Sequence, residues 1–205
     1  MITVLVLVPI GAFLVFSNLL NGLPIHLAVL LVSIFCAYEI SLMIEKNGYK
    51  MYIWLLSVFI TASIISYYLY GLQIYGIGYF FIFQFALLTF FTVTIVGIES
   101  ARGTFDRSIE NLAISVYTYV MLGIFAPMIA LLKMMDMTGW LLAILLLITW
   151  LTDGGGLLFG KLFGRHKIRF IASPNKTVEG YIGSVLVGFI VMVVCYFAQN
   201  TFALS

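Results

Sequence analysis

Seven stretches of this sequence are long, apolar and almost free of charge, and that pattern limits the fold more than any motif does. They run approximately over Ile2–Leu20, Pro24–Ile44, Tyr52–Tyr70, Ile77–Gly97, Leu112–Leu132, Trp140–Phe159 and Tyr181–Phe197. A helix needs about 20 mostly apolar residues to cross a bilayer, whereas a barrel strand alternates polar and apolar side chains. In lipid every backbone N–H and C=O must be paired within the protein, which leaves helices for runs of this kind. The expectation is an all-α fold, a polytopic transmembrane helix bundle of about seven spans. Charged residues make up 9% of the chain, against roughly a quarter in soluble domains, and this excludes the soluble globular class.

The breaks between the stretches carry turn chemistry: Asn21-Gly22 before Pro24, Asn47-Gly48, Gly71 with Gly76, and Met137-Thr138-Gly139. No internal repeat or heptad is evident, and no polar segment is long enough to fold separately. Residues 1–205 are therefore read as a single membrane-embedded domain. No Lys or Arg precedes Lys46, so the basic start of a cleavable signal is missing and the opening stretch reads as a first span. Cys36 and Cys195 lie far apart in apolar stretches. They suit small buried hydrophobes better than a disulfide or a metal pair.

Cations fix the orientation. With seven spans, one side of the membrane receives Lys46, Lys50, Arg102, Arg107, Lys161, Arg165, Lys167, Arg169 and Lys176, and the other receives only Lys133. Nine against one is a firm positive-inside signal. The N-terminus and the connector between the last two spans are expected to be cytoplasmic. Two shorter polar stretches, 45–50 and 99–110, share that side and read as solvated connectors with headgroup-anchoring cations.

The segment from Asp153 to Gly183 holds five of the ten Lys and Arg residues, and it is the expected site. Lys161, Arg165, His166, Lys167 and Arg169 alternate there with Phe163, Ile168 and Phe170, a pattern that also suits nonspecific binding of anionic headgroups. Ser173-Pro174 reads as an N-cap and first helical position, opening a helix whose free N–H groups and positive dipole end attract phosphate. Lys176 and Thr177 would then stand in its first turn, with Glu179 in reach. Gly156, Gly160 and Gly164, and again Gly180, Ser184 and Gly188, recur every four residues and suit close helix packing. That face would admit a ligand as readily as a helix. Two acids sit in apolar surroundings: Asp153 at the end of LLLITWLTD, and Glu39 inside the second stretch. Such residues have a partner or a role. For Glu39, burial against a loop cation and catalysis stand equal.

These residues carry a resemblance. Asp153, Gly160-Lys161, Phe163-Gly164-Arg165-His166-Lys167, then Ser173-Pro174, Lys176-Thr177, Glu179-Gly180 and Gly183 resemble the phosphatidate cytidylyltransferase (CDP-diacylglycerol synthase) family. The close match covers about thirty residues, and the hydrophobic pattern is compatible over the rest. The resemblance implies a membrane-embedded nucleotidyltransferase of phospholipid synthesis. It would transfer CMP from CTP to phosphatidate, releasing diphosphate, with Mg²⁺ or another divalent cation. It implies Asp153, Lys176 and Glu179 as catalytic residues, with Asp153 and Glu179 at the metal. Lys161, Arg165, His166, Lys167, Ser173 and Thr177 would bind substrate. CTP, phosphatidate and membrane lipid are the implied partners; no nucleic acid is expected, and a homo-oligomer is allowed by the glycine stripes. The expected location is a bacterial cytoplasmic membrane, with the site facing the cytoplasm.

Two departures qualify the resemblance. Gly154-Gly155 follows Asp153 where the family commonly has a small hydroxyl residue. The family's second signature, of the form S-x-x-K-R … K-D … P-G-H-G-G-x-x-D-R-x-D, supplies principal metal-binding acids and is absent from this sequence. The chain is therefore expected to be a fragment or a truncated relative, with little or no cytidylyltransferase activity alone. Two other readings are a transporter of a small solute or lipid using Glu39 and Asp153, and a non-catalytic membrane protein that binds anionic lipid.

Overall fold

A computed structural model of the chain describes residues 2–102, 107–168, 173 and 176–202. Each of the seven apolar stretches is helical. The order is α1 (Ile2–Phe16), a single 3-10 turn (Leu19–Gly22), α2 (Leu23–Lys46), α3 (Ile53–Gly71), α4 (Ile77–Ala101), α5 (Ser108–Tyr119), a π segment (Val120–Phe125), α6 (Met128–Met135), α7 (Trp140–Phe163) and α8 (Val178–Phe202). Among the described residues six helical segments are long and apolar enough to cross a membrane. This is an all-α, polytopic membrane protein. The exception is α1. Its 15 residues extend about 22 Å at the α-helical rise, short of a hydrocarbon core about 30 Å thick.

The chain divides into two compact units, residues 1–139 and 140–205. In the first, α3 is the central helix. Its Leu56, Phe59, Ile60 and Ile64 pack with Ala37 of α2, Phe91 and Ile95 of α4, and Tyr119 of α5 into one buried cluster. Large apolar side chains such as Leu31, Trp54, Phe85 and Ile109 face outward, as a lipid-facing surface requires.

The fifth apolar stretch is one helical segment of 28 residues, Ser108–Met135, with a π bulge at its middle. Pro127 has no N–H to return to the preceding turn, and the bulge shifts the ladder, with Ala126 N–H donating to the Met121 carbonyl at 3.0 Å. Carbonyls freed in this way need partners in lipid. Ser63 Oγ donates to Gly123 O at 2.5 Å, and the Tyr67 hydroxyl donates to Ile124 O at 2.8 Å. Ser63 and Tyr67 of α3 thus stitch the bulge to the core. At the other end of this unit, Lys133 is fully buried, its Nζ donating to Asn18 Oδ1 at 2.9 Å and to Met137 O at 2.7 Å.

The second unit is the α7–α8 hairpin, packed along the two small-residue stripes. A Cβ on Gly180 would stand 2.8 Å from Gly156 O and 3.2 Å from Gly160 Cα. A Cβ on Gly155 would stand 2.6 Å from Val187, and one on Gly188 2.7 Å from Thr152. The stripes therefore serve helix contact, the commonest use of small residues at such spacing. The face holding Gly156 and Gly160 is taken by α8.

Candidate functional site

The basic segment folds as the connector of the α7–α8 hairpin. Helix α7 does not stop where hydropathy falls; it continues through Gly160 and Lys161 to Phe163. After Gly164 the chain turns back, and residues 166–168 run antiparallel to 176–178. Lys167 bridges Thr177, Ile168 N–H donates to Lys176 O at 2.7 Å, and Val178 N–H donates to His166 O at 2.9 Å. This short ladder sets Lys167 beside the Lys176–Thr177 strand. Lys161, Arg165, His166, Lys167, Ser173 and Lys176 are all exposed, so the cations form an open surface at the helix ends. Arg169, Phe170, Pro174 and Asn175 lie outside the described residues.

The start of α8 differs from the expectation. The helix begins at Val178, with Thr177 immediately before it, and not at Ser173-Pro174. Thr177 is 7% exposed, and its Oγ1 accepts the Gly180 N–H at 3.2 Å, the bond an N-cap hydroxyl makes to the third helical residue. Ser173 instead accepts the Lys176 N–H on its carbonyl at 3.3 Å. Lys176 consequently precedes the helix and shares no helical face with Glu179 and Gly183. Two donors of the first turn are also engaged: Val178 N–H by His166 O, and Gly180 N–H by Thr177 Oγ1. The exposed polar groups of the connector are therefore its side chains rather than a bare helix end.

Glu179 sits at the second position of α8, where an acid is favoured by the helix dipole. Both of its carboxylate oxygens accept the backbone N–H of His166, each at 3.2 Å, and Oε1 lies 2.6 Å from His166 Nδ1. Asp153 is placed elsewhere. It lies exposed on α7, ten residues before Phe163 and so about 15 Å along the axis. Its neighbours Thr152 and Gly155 pack against Gly188 and Val187, more than two turns beyond Glu179 on α8. No described contact joins the two acids. Among the described residues no group of three or more His, Cys, Asp or Glu comes together to hold a metal ion. The described residues alone therefore do not form a cage for the Mg²⁺ that the resemblance implies.

Sequence reasoning missed Glu99. It assigned residues 99–110 to a solvated connector, and it allowed Glu39 as the buried, paired acid. Glu39 is exposed on α2, whereas Glu99, in the last turn of α4, is 5% exposed. Its carboxylate accepts from the Tyr52 hydroxyl at 2.7 Å, Ser108 Oγ at 2.9 Å and Asn111 Nδ2 at 3.3 Å, with Arg102 at 3.6 Å. Asn111 Oδ1 accepts Lys50 N–H at 2.8 Å, and Arg107 donates to Asn47 O at 3.0 Å while lying over the Tyr49 ring. Burial, and next the Glu99 carboxylate, push the Tyr52 hydroxyl up to about 12, which keeps it a donor. The available signal was an acid one turn inside a helix end with an Arg three residues on.

The sequence model of the Cytidylyltransferase family matches residues 1–204. The chain belongs to this family. Curated phosphatidate cytidylyltransferases resemble it over a shorter stretch. The protein of Staphylococcus haemolyticus (strain JCSC1435) is 49% identical over 51 residues, 25% of this chain and 20% of the relative. That of Staphylococcus aureus (strain COL) is 52% identical over 54 residues, 26% of this chain and 21% of the relative. That of Staphylococcus saprophyticus is 50% identical over 48 residues, 23% and 18%. Each match spans about a fifth of the relative's own length. No solved structure matches this cytidylyltransferase-family chain.

Proposed function

We propose that this chain takes part in transferring CMP from CTP to phosphatidate, forming CDP-diacylglycerol and diphosphate at the cytoplasmic face of a bacterial inner membrane. The observation that carries the reading is the folded α7–α8 connector within a cytidylyltransferase-family chain. It exposes Lys161, Arg165, Lys167 and Lys176 at the end of two lipid-spanning helices. In the reaction a phosphate oxygen of phosphatidate attacks the α-phosphorus of CTP. The bond from that phosphorus to the bridging oxygen of the β-phosphate breaks, and diphosphate leaves with the electron pair. Such transfers are accelerated by positioning and by neutralising charge on the phosphoryl oxygens. The four cations neutralise the triphosphate and the lipid phosphate, and the Ser173 hydroxyl adds a donor. Thr177 caps α8 and so fixes the strand that carries Lys176. Asp153, about 15 Å back along α7 from these groups, is given no role at the connector. The transporter and scaffold readings are not favoured by the relatives' names.

The test is CTP binding by the full chain in nanodiscs containing phosphatidate, with formation of CDP-diacylglycerol followed in parallel. Lys176→Gln and Arg165→Gln are each expected to weaken CTP binding about tenfold, the scale of one lost charge-assisted hydrogen bond. Absence of CTP binding by the unaltered chain, or binding unchanged in both variants, would overturn the proposal.

A further inference from the structure

The acid of the KTxEG segment has a geometry that neither catalysis nor metal binding requires. Both oxygens of Glu179 point back across the connector to His166, thirteen positions earlier, with the Arg165 backbone N–H close enough to act on the same carboxylate. They take the His166 backbone N–H and its Nδ1, while the His166 carbonyl accepts Val178 N–H at 2.9 Å. His166 is therefore held from both sides of its peptide by the first turn of α8. It lies between Arg165 and Lys167, two of the exposed cations. The contact itself is open to water, with His166 79% and Glu179 23% exposed, so packing does not hold the connector at this point. Hydrogen bonds do.

We infer that Glu179 is a positioning residue: its carboxylate clamps the basic connector onto the α8 N-terminus through His166 and so sets where Arg165 and Lys167 stand. The carboxylate also occupies the place at the helix end that an anionic ligand would otherwise seek. This rests on the phosphate-binding reading above for its purpose, but not for its geometry. It separates from a metal-ligand role by chemistry. A clamp needs an acceptor for the His166 N–H, which a Gln carbonyl supplies; a hard cation needs the charged carboxylate.

The experiment compares Glu179→Gln, Glu179→Ala and His166→Ala in the full chain in nanodiscs. Amide hydrogen exchange is followed over residues 165–168, and CTP binding is titrated at several Mg²⁺ concentrations. Glu179→Ala is expected to raise exchange at His166 and Ile168 about tenfold and to weaken CTP binding by a similar factor, with the Mg²⁺ dependence unmoved. His166→Ala, which keeps the backbone donor, should fall between Ala and wild type, and Glu179→Gln should restore most of both readouts. Gln behaving as badly as Ala with a raised Mg²⁺ requirement overturns the clamp in favour of a metal ligand. Exchange unchanged in Glu179→Ala overturns it outright. If the unaltered chain binds no CTP, the functional reading fails while the exchange arm still decides the clamp.

Discussion

Removing the Glu99 carboxylate would leave the Tyr52 hydroxyl, the Ser108 hydroxyl and the Asn111 amide facing each other without their common acceptor, and Arg102 without its counter-ion. A buried donor stripped of its partner costs about 1–3 kcal/mol, and more is at stake in a shared network. Glu99→Ala is accordingly expected to destabilise the first unit by about 2–3 kcal/mol, and Tyr52→Phe by about 1 kcal/mol. Thermal unfolding in detergent measures both, and equal melting temperatures for wild type and Glu99→Ala would contradict the assignment. The residue was invisible in sequence for a definite reason. Hydropathy is a local sum, and it ends the fourth span at Gly97 because an acid follows. What makes Glu99 burial tolerable is Tyr52, 47 positions away, which no local window contains. Thr177 was misread for a related reason. Ser173-Pro174 has the better local cap chemistry, but the pairing of 166–168 with 176–178 starts the helix later.

At the level of elements the apolar pattern read well, since each of the seven stretches is a helix. The ends read less well. Helix α7 runs four residues past Phe159, carrying Lys161 on its last turn, and a long cationic stem reaching the interface lowers hydropathy without ending a helix. The glycine spacing was legible as a packing device, but only the structure distinguishes glycines that touch a neighbour from those that do not. Gly180 faces the backbone of α7, with Gly156 O 2.8 Å and Gly160 Cα 3.2 Å from a built Cβ. Gly154 meets nothing within 4 Å. Gly180→Ala is therefore expected to destabilise the hairpin by about 1–3 kcal/mol, the range for forcing a methyl group into a packed contact. Gly154→Ala should be neutral or stabilising by up to about 1 kcal/mol, from helix propensity alone. Unfolding of the two variants side by side checks the assignment. Equal loss in both would mean that glycine acts through backbone freedom rather than through contact between α7 and α8.

For the whole molecule, sidedness follows from the distribution of cations between spans, and the short first helix bears on it. The nine-to-one asymmetry was counted on seven spans, yet α1 is only 15 residues long. Whether α1 crosses has no bearing on the count, because no Lys or Arg precedes Lys46. If each of the six longer segments crosses, alternation alone would send Lys46, Lys50, Arg102, Arg107, Lys161, Arg165, Lys167, Arg169 and Lys176 to one side and Lys133 to the other. Only the location of the N-terminus depends on α1. In a background with Cys36 and Cys195 replaced by Ser, Lys50→Cys and Lys167→Cys should resist a membrane-impermeant maleimide added to intact cells and react after permeabilisation. Met137→Cys should react in intact cells. Lys50→Cys reacting from outside would invert the bundle. Lys50→Cys and Lys167→Cys labelling from opposite sides would mean that one of the six segments does not cross, and the proposed meeting of this surface with cytoplasmic CTP would fail.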